Sequence, residues 1–218
     1  MLLFTLQLKV LSKQMNNHEK HLEDLHEIRA IMERSARFIS LSGLSGISAG
    51  IFALIGALIA YQRFDISGLR SAGNYYTESE NLWFAVFIAM GVLICSVAAG
   101  IFFTTRNAKK KGQKIFDRTT WHLLINLAVP LIAGGLFCII LLNHSPELIS
   151  SAMLMFYGMA LLNASKYTLP DIRYLGICEI VLGLIGGLFP GYGLLLWAIG
   201  FGVLHIVYGT VMYFKYER

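Results

Sequence analysis

Six apolar blocks constrain this chain more than any other feature of its sequence. Each has about 17 to 24 residues, which lets a helix cross a hydrocarbon core about 30 Å thick. Of the 218 residues, 56% are hydrophobic and 14% are charged. The blocks lack the alternation of membrane β-strands, and lipid offers the backbone no hydrogen-bond partners. We therefore predict six transmembrane helices, at roughly 38–61, 82–104, 121–142, 149–165, 172–189 and 192–214.

The predicted fold class is an all-α, polytopic membrane helix bundle over residues 38–218, preceded by a cytoplasmic segment, 1–37. Within that segment, residues 17–36 predict an amphipathic helix with acidic residues early and basic residues late. Its apolar stripe must be buried against another surface. One possibility is the membrane surface or the protein's own loops; the other is a second copy of the chain, in a homo-oligomer, or a protein partner. The N-terminus lacks signal-peptide features, so we expect a retained first span. The sequence allows two starts of translation, Met1 and Met15.

Lysine and arginine residues are distributed very unevenly between the two sides of the predicted bundle. Sixteen lie on the side of the termini and only Arg63 and Arg70 on the other, which places both termini in the cytoplasm. We expect a multi-pass membrane protein. The basic composition reflects this asymmetry and does not indicate nucleic-acid binding. Contacts with anionic lipid head groups, or alternatively a regulated protein-binding loop, are predicted for Lys109, Lys110, Lys111 and Lys114.

Small residues recur at helical spacing in the odd-numbered spans. Ser42, Gly46 and Gly50 follow one another every four residues, and Gly135 and Gly187 lie in similar clusters. Such rows let two helices approach closely, so we predict packing sites there and three related helical hairpins. Leucine at Gly50 should then disturb assembly, whereas leucine at Gly68, in a predicted loop, should not.

The last hairpin, GICEIVLGLIGGLFPGYGLLLWAIGFGVLHIVYGTVMY at residues 176–213, resembles the repeat unit of the HdeD-like bacterial membrane proteins. The similarity lies in Gly176 and Gly183, seven residues apart, the Pro190-Gly191 turn and the late Gly209. It implies a multi-pass protein of the bacterial inner membrane that is built from three short hairpins, in a family whose named member is linked to acid resistance. It implies no catalytic residues.

Motifs for catalysis or cofactor binding are missing from the sequence. There is no GxSxG elbow, HExxH, P-loop or pair of intramembrane aspartates. His18, His21 and His26 lack the i, i+4 spacing of a metal pair. We predict that the protein is not an enzyme and has neither a cofactor nor a metal.

Polar residues within the spans are few. Pro130 removes the amide that would bond the carbonyl of Asn126, which predicts a kink with local hydration or, alternatively, part of a permeation path.

Glu179 and His205 are the ionisable residues deepest in the last two spans. Glu179 lies 12 residues before Gly191 and His205 lies 14 after it, so their depths differ by only about 3 Å. We predict that they face each other inside the bundle, within direct or one-water hydrogen-bond reach, and that Tyr208, one turn further on, could bond either of them. Two roles are open: a structural polar pair and a proton-handling site.

Two functional hypotheses follow. The first is a non-enzymatic membrane protein, related to envelope or acid stress, that acts through helix packing and partner contacts. The alternative is a small proton-coupled transporter or channel using Glu179 and His205.

Overall fold

A computed structural model of the protein describes residues 41–64, 79–112 and 117–218. These residues belong to one compact unit, Phe38–Arg218, and within them there is no β-strand. Five of their helices are long and apolar enough to cross a membrane, which confirms the predicted all-α membrane fold. The predicted N-terminal helix, Gly68 and Lys114 lie outside the described residues.

Six helices follow one another along the described part of the chain. The fifth has 17 residues, at the short end of the range for a membrane span. The sixth, α6, joins an α-helical segment, a π-helical segment and a second α-helical segment: Gly193–Trp197, Ala198–Leu204 and His205–Tyr216. The first five are α1 (Gly43–Phe64), α2 (Ser79–Lys110), α3 (Arg118–His144), α4 (Ile149–Ala164) and α5 (Ile172–Leu188).

α2 and α3 extend beyond the predicted spans 82–104 and 121–142, as far as the residues that cap them. α2 ends at Lys110, just before Gly112, whose φ of 62° suits a helix terminus. α3 begins at Arg118, because the Asp117 side chain accepts hydrogen bonds from the backbone nitrogen and hydroxyl of Thr120, each at 2.7 Å. Hydropathy marks only the apolar core of a helix, so it misses these terminal turns.

Charge distinguishes the two ends of the bundle. We call the end where α2 and α6 finish and α3 and α5 begin the basic end, because Arg106, Arg118, Arg173 and Lys215 lie there. The opposite end, with the short 3₁₀ turns Pro146–Leu148 and Pro190–Tyr192, is called the far end.

Two helices organise the packing. α1 packs against α2 and α6, and α4 packs against α3 and α5. α5 contacts α4 much more extensively than it contacts α6. The predicted third hairpin is therefore not closely packed along its length, because the glycine-rich faces of α5 and α6 contact α4 and α1 instead.

The α1–α6 interface is built on backbone contact between glycines. A Cβ atom at Gly50 would lie 2.6 Å from the carbonyl oxygen of Gly202, and one at Gly46 would lie 3.1 Å from the Cα of Gly209. Ser42 contributes differently, since its hydroxyl donates to a carboxylate oxygen of Glu217 at 3.1 Å. The small-residue row of the first span thus combines two close glycine contacts with a polar contact at the basic end.

The α4–α5 interface uses the same device. A Cβ at Gly158 would lie 2.5 Å from the carbonyl oxygen of Gly176, and one at Gly176 would lie 2.8 Å from that of Gly158. A Cβ at Gly183 would lie 2.9 Å from the backbone nitrogen of Met155. Such contacts bring two backbones together where lipid provides no hydrophobic drive for helix association.

Gly135 and Gly187 do not make the predicted packing contacts. Among the described residues, no atom lies within 4 Å of a Cβ added at either position. Their neighbours Gly134 and Gly186 are the contact residues, against Phe156 and Ser151 respectively. One residue turns a helix by about 100°, so the prediction named the wrong member of each glycine pair.

We expect Gly50→Ala to destabilise the bundle by about 1–3 kcal/mol, because its methyl group would collide with the backbone of α6. Gly187→Ala is the matched control, since its methyl group meets no described atom and alanine favours helix. Reversible unfolding in mixed micelles measures both free energies. Equal stability of the two variants would contradict the close contact at Gly50.

Candidate functional site

Glu179 is buried because of its position on α5. The residues of α5 that are buried lie on one helix face, with intervals of three or four residues apart from the adjacent pair Leu175 and Gly176, and this face packs on α4. Glu179 falls in the middle of that row and its exposed fraction is 0%. The row consists of Ile172, Leu175, Gly176, Glu179, Gly183 and Gly186.

His205 reaches Glu179 from α6. Its Nδ1 atom lies 3.4 Å from Oε1 of Glu179 and 3.0 Å from the carbonyl oxygen of Gly200. Gly200 belongs to the π-helical segment, and it precedes His205 by five residues, the spacing at which a π-helix pairs its residues. Because a carbonyl oxygen can only accept, the bond to Gly200 assigns a proton to Nδ1.

Tyr157, on α4, completes the cluster. Its hydroxyl lies 2.7 Å from Nε2 of His205, and the two ring centroids are 5.4 Å apart. With the proton of a neutral imidazole on Nδ1, Nε2 accepts a hydrogen bond from the Tyr157 hydroxyl. Three helices therefore contribute to one buried cluster, which we call the polar cluster: Tyr157, Glu179, Gly200 and His205.

Gly200 also leaves room for the carboxylate. A Cβ there would lie 2.5 Å from Oε2 of Glu179 and 2.5 Å from Cδ2 of Leu154. Within the described part of the chain, neither oxygen of Glu179 has a hydrogen-bond partner, so the approach of His205 at 3.4 Å is its principal polar contact. A buried carboxyl group with so few partners is costly to ionise alone, so the protonation state of Glu179 depends on whether His205 is charged.

Tyr208 does not bond either ionisable residue, contrary to the prediction. Its hydroxyl is buried and has no hydrogen-bond partner among the described residues. It packs beside a cluster formed by Leu161, Ile172 and Leu175. Tyr208 lies about one turn nearer the basic end than His205, and at that depth α5 presents apolar side chains instead of Glu179.

Sequence reasoning missed Tyr157 and Gly200. Tyr157 lies near the middle of α4, whereas tyrosines of membrane helices concentrate at the interfaces, so its depth was an available signal. Gly200 gave no such signal, because it is one of several glycines in α6 and its role depends on the three-dimensional approach of α5.

Asn126 and Pro130 lie on α3, which continues through the proline from Arg118 to His144. The Asn126 side chain donates to the carbonyl oxygen of His122, one turn earlier in the same helix, at 2.8 Å. This local bond links neither residue to the polar cluster.

The basic end carries the predicted lipid-contacting lysines and a separate ionic contact. Lys109, Lys110 and Lys111 are exposed at the end of α2. Nζ of Lys215 lies 2.6 Å from Oδ2 of Asp171, which also accepts a hydrogen bond from the hydroxyl of Tyr216 at 2.9 Å. The hydrogen bond from Lys215 holds the pKa of Asp171 below its usual range, with a further contribution from Tyr216.

Comparisons with known proteins give no match: the sequence fits no protein-family model, and neither curated proteins nor solved structures show a significant similarity. What the polar cluster does is therefore inferred from its own residues and contacts.

A double-mutant cycle tests whether Glu179 and His205 interact. We expect Glu179→Gln and His205→Ala to show a coupling of about 0.5–3 kcal/mol in the free energy of unfolding, because the two side chains share one buried contact. The matched control pairs His205→Ala with Tyr208→Phe, which removes an unbonded hydroxyl and should show no coupling. If the coupling in the first cycle is no larger than in the second, Glu179 and His205 do not interact.

Proposed function

We propose that this chain is a non-enzymatic, multi-pass protein of the bacterial inner membrane that acts through helix packing and partner contacts, and whose stability responds to acid through Glu179 and His205. The asymmetry of lysine and arginine supports a cytoplasmic basic end. The resemblance of residues 176–213 to HdeD-like hairpins supports a link to acid stress, and it covers most of α5 and most of α6.

The observation that carries the proposal is the fully buried Glu179 carboxylate with Nδ1 of His205 at 3.4 Å. The two groups together are electrically neutral when they hold one proton, whether as carboxylate and imidazolium or as carboxylic acid and imidazole. A second proton leaves a net positive charge buried in the bundle, and loss of the only proton leaves a net negative one. Both states are costly in a low-dielectric interior.

Proton counting gives the sign of the pH dependence. In the unfolded chain, a glutamate titrates near pH 4.3 and a histidine near pH 6.5, so the two residues together hold two protons below about pH 4.3 and one between about pH 4.3 and 6.5. The folded pair holds one. Below about pH 4.3 the unfolded chain binds more protons than the folded one, and stability therefore falls as the pH falls.

His205→Gln should remove this loss of stability in acid. The remaining buried carboxyl group is neutral in acid, so the folded and unfolded chains hold the same number of protons below about pH 4.3. We expect the unchanged protein to lose up to about 1.4 kcal/mol per pH unit more than His205→Gln below that value. Unfolding free energies in mixed micelles across the acid range provide the measurement.

Asp171 must be controlled in this experiment. Its lowered pKa means that its bond to Lys215 stabilises the protein at neutral pH and is lost as the pH falls through the folded value. Both proteins are therefore compared in an Asp171→Asn background, which removes the contribution of this ion pair. Asp117, whose pKa is lowered by its hydrogen bonds from Thr120, contributes equally to both proteins and cancels in the comparison. Identical acid profiles with and without His205 would disprove the proposed response.

Proton transfer is a second candidate function, favoured by the two oxygens of Glu179 that lack hydrogen-bond partners among the described residues. Such a carboxylate can exchange a proton without first breaking a strong bond. Transporters likewise place ionisable residues in the middle of the membrane.

Proton flux into liposomes under an imposed pH gradient separates the two functions. The packing function predicts leakage equal to that of empty vesicles, because no permeation is required of the bundle. A transporter would give faster flux that Glu179→Gln abolishes, and that result would replace the first proposal with the second.

Partner contacts remain part of the proposal. Anionic lipid head groups suit Lys109, Lys110 and Lys111 at the basic end. The apolar stripe predicted within residues 17–36 would serve a homo-oligomer or a protein partner.

A further inference from the structure

We propose that protons reach Glu179 and His205 from the far end of the bundle, along the contact between α4, α5 and α6 lined by Ser150 and Ser151. This inference rests on the proposed acid response, and it adds the side of the membrane whose pH is sensed. We call this contact the far-end seam; its residues are Ser150, Ser151, Gly183, Gly186, Gly193 and Gly200.

Two buried hydroxyls mark the entrance of the seam. The Oγ atoms of Ser150 and Ser151 are inaccessible and have no hydrogen-bond partner among the described residues. Serines within helices commonly bond a backbone carbonyl of the preceding turn. Ser165, at the other end of α4, does so with Leu162 at 2.7 Å. Buried polar atoms without such a bond are suited to water, which can also carry protons.

Glycines on α5 and α6 face these hydroxyls. A Cβ at Gly186 would lie 2.5 Å from Oγ of Ser151, and a Cβ at Gly193 would collide with Oγ of Ser150. Both serines therefore point into the seam.

The seam continues to the polar cluster without large side chains on α5. Gly183 and Gly186 lie on the same buried face of α5 as Glu179, between Glu179 and the far end. Along the helix axis they are about 6 Å and 10 Å from Glu179. On α6, Gly200 adjoins the carboxylate. The apolar side chains in contact with these glycines are those of Leu154, Met155 and Leu196, so they are the residues that water must pass.

Backbone contact between α4 and α5 occurs on both sides of Glu179, at Gly183 towards the far end and at Gly158 and Gly176 towards the basic end. The two sides differ in their buried hydroxyls. Among the described residues, the basic-end side has one without a hydrogen bond, that of Tyr208, beside the buried cluster of Leu161, Ile172 and Leu175. The far-end side has two, and this difference favours access from the far end.

The other titratable groups around the pair do not supply this response. Among the described residues, Tyr157 faces it from α4 and Tyr208 lies one turn away on α6. Tyrosine side chains titrate near pH 10, far above the acid range.

Infrared spectroscopy of proteoliposomes with one protein orientation tests the inference. The carboxylic acid band of Glu179, assigned by its loss in Glu179→Gln, is followed after a step to alkaline pH on one side at a time, because the folded pair gives up its one proton there. We expect the band to respond promptly to the pH at the far end and only after vesicle equilibration to the pH at the basic end. A prompt response to the basic end alone, to both ends equally or to neither would overturn the inference and leave the acid response intact. The acid response is decided separately, by the stability profile of His205→Gln.

Serine substitutions test the route itself. Ser150→Ala combined with Ser151→Ala should slow the response to the far end on the order of tenfold without changing its final extent, because the hydroxyls assist passage and do not set the equilibrium. Ser165→Ala, at the other end of the same helix, should leave the rate unchanged. If the two variants have the same rate, the seam is not the route.

Discussion

The structure depends on close backbone contact at glycine. In lipid, two apolar helix faces gain little by meeting each other, so the helices must associate through fine packing and a small number of polar contacts. α1 meets α6, and α4 meets α5, at positions where even a methyl group would collide with the opposing backbone. The same close approach brings α4, α5 and α6 around Glu179 and makes the polar cluster a consequence of the helix packing.

Burial gives the polar cluster its chemical character. A carboxylate in water needs no particular neighbour, but Glu179 is fully enclosed and has His205 as its nearest ionisable group. His205 is held in turn by the Gly200 carbonyl and the Tyr157 hydroxyl. A pair held in this way tolerates one proton and resists both a second proton and the loss of the first, so the proposed acid response would act on the packing of three helices at once.

Much of this arrangement could be predicted from the sequence, but its detailed contacts could not. Long apolar runs predicted the spans, and counting residues from the turn at Gly191 predicted equal depth for Glu179 and His205. The direction of a side chain around its helix is harder to predict: adjacent glycines such as Gly186 and Gly187 cannot be told apart by periodicity alone. The depth of Tyr157 in its span was a usable signal. Its contact with His205 and the π-helical segment, however, depend on how α6 passes α4 and α5, which no local pattern indicates.

The polar cluster requires Glu179 and His205 to be in contact with each other inside the membrane. Solid-state NMR in lipid bilayers tests it most directly, through the dipolar coupling between the ¹³C-labelled carboxyl carbon of Glu179 and the ¹⁵N-labelled Nδ1 of His205. We expect a coupling consistent with the 3.4 Å separation of Nδ1 and Oε1. Glu179→Gln, with no label at position 179, should show no coupling and thereby assigns the signal to Glu179. A bilayer sample that shows no such coupling, with both side chains labelled, would contradict it.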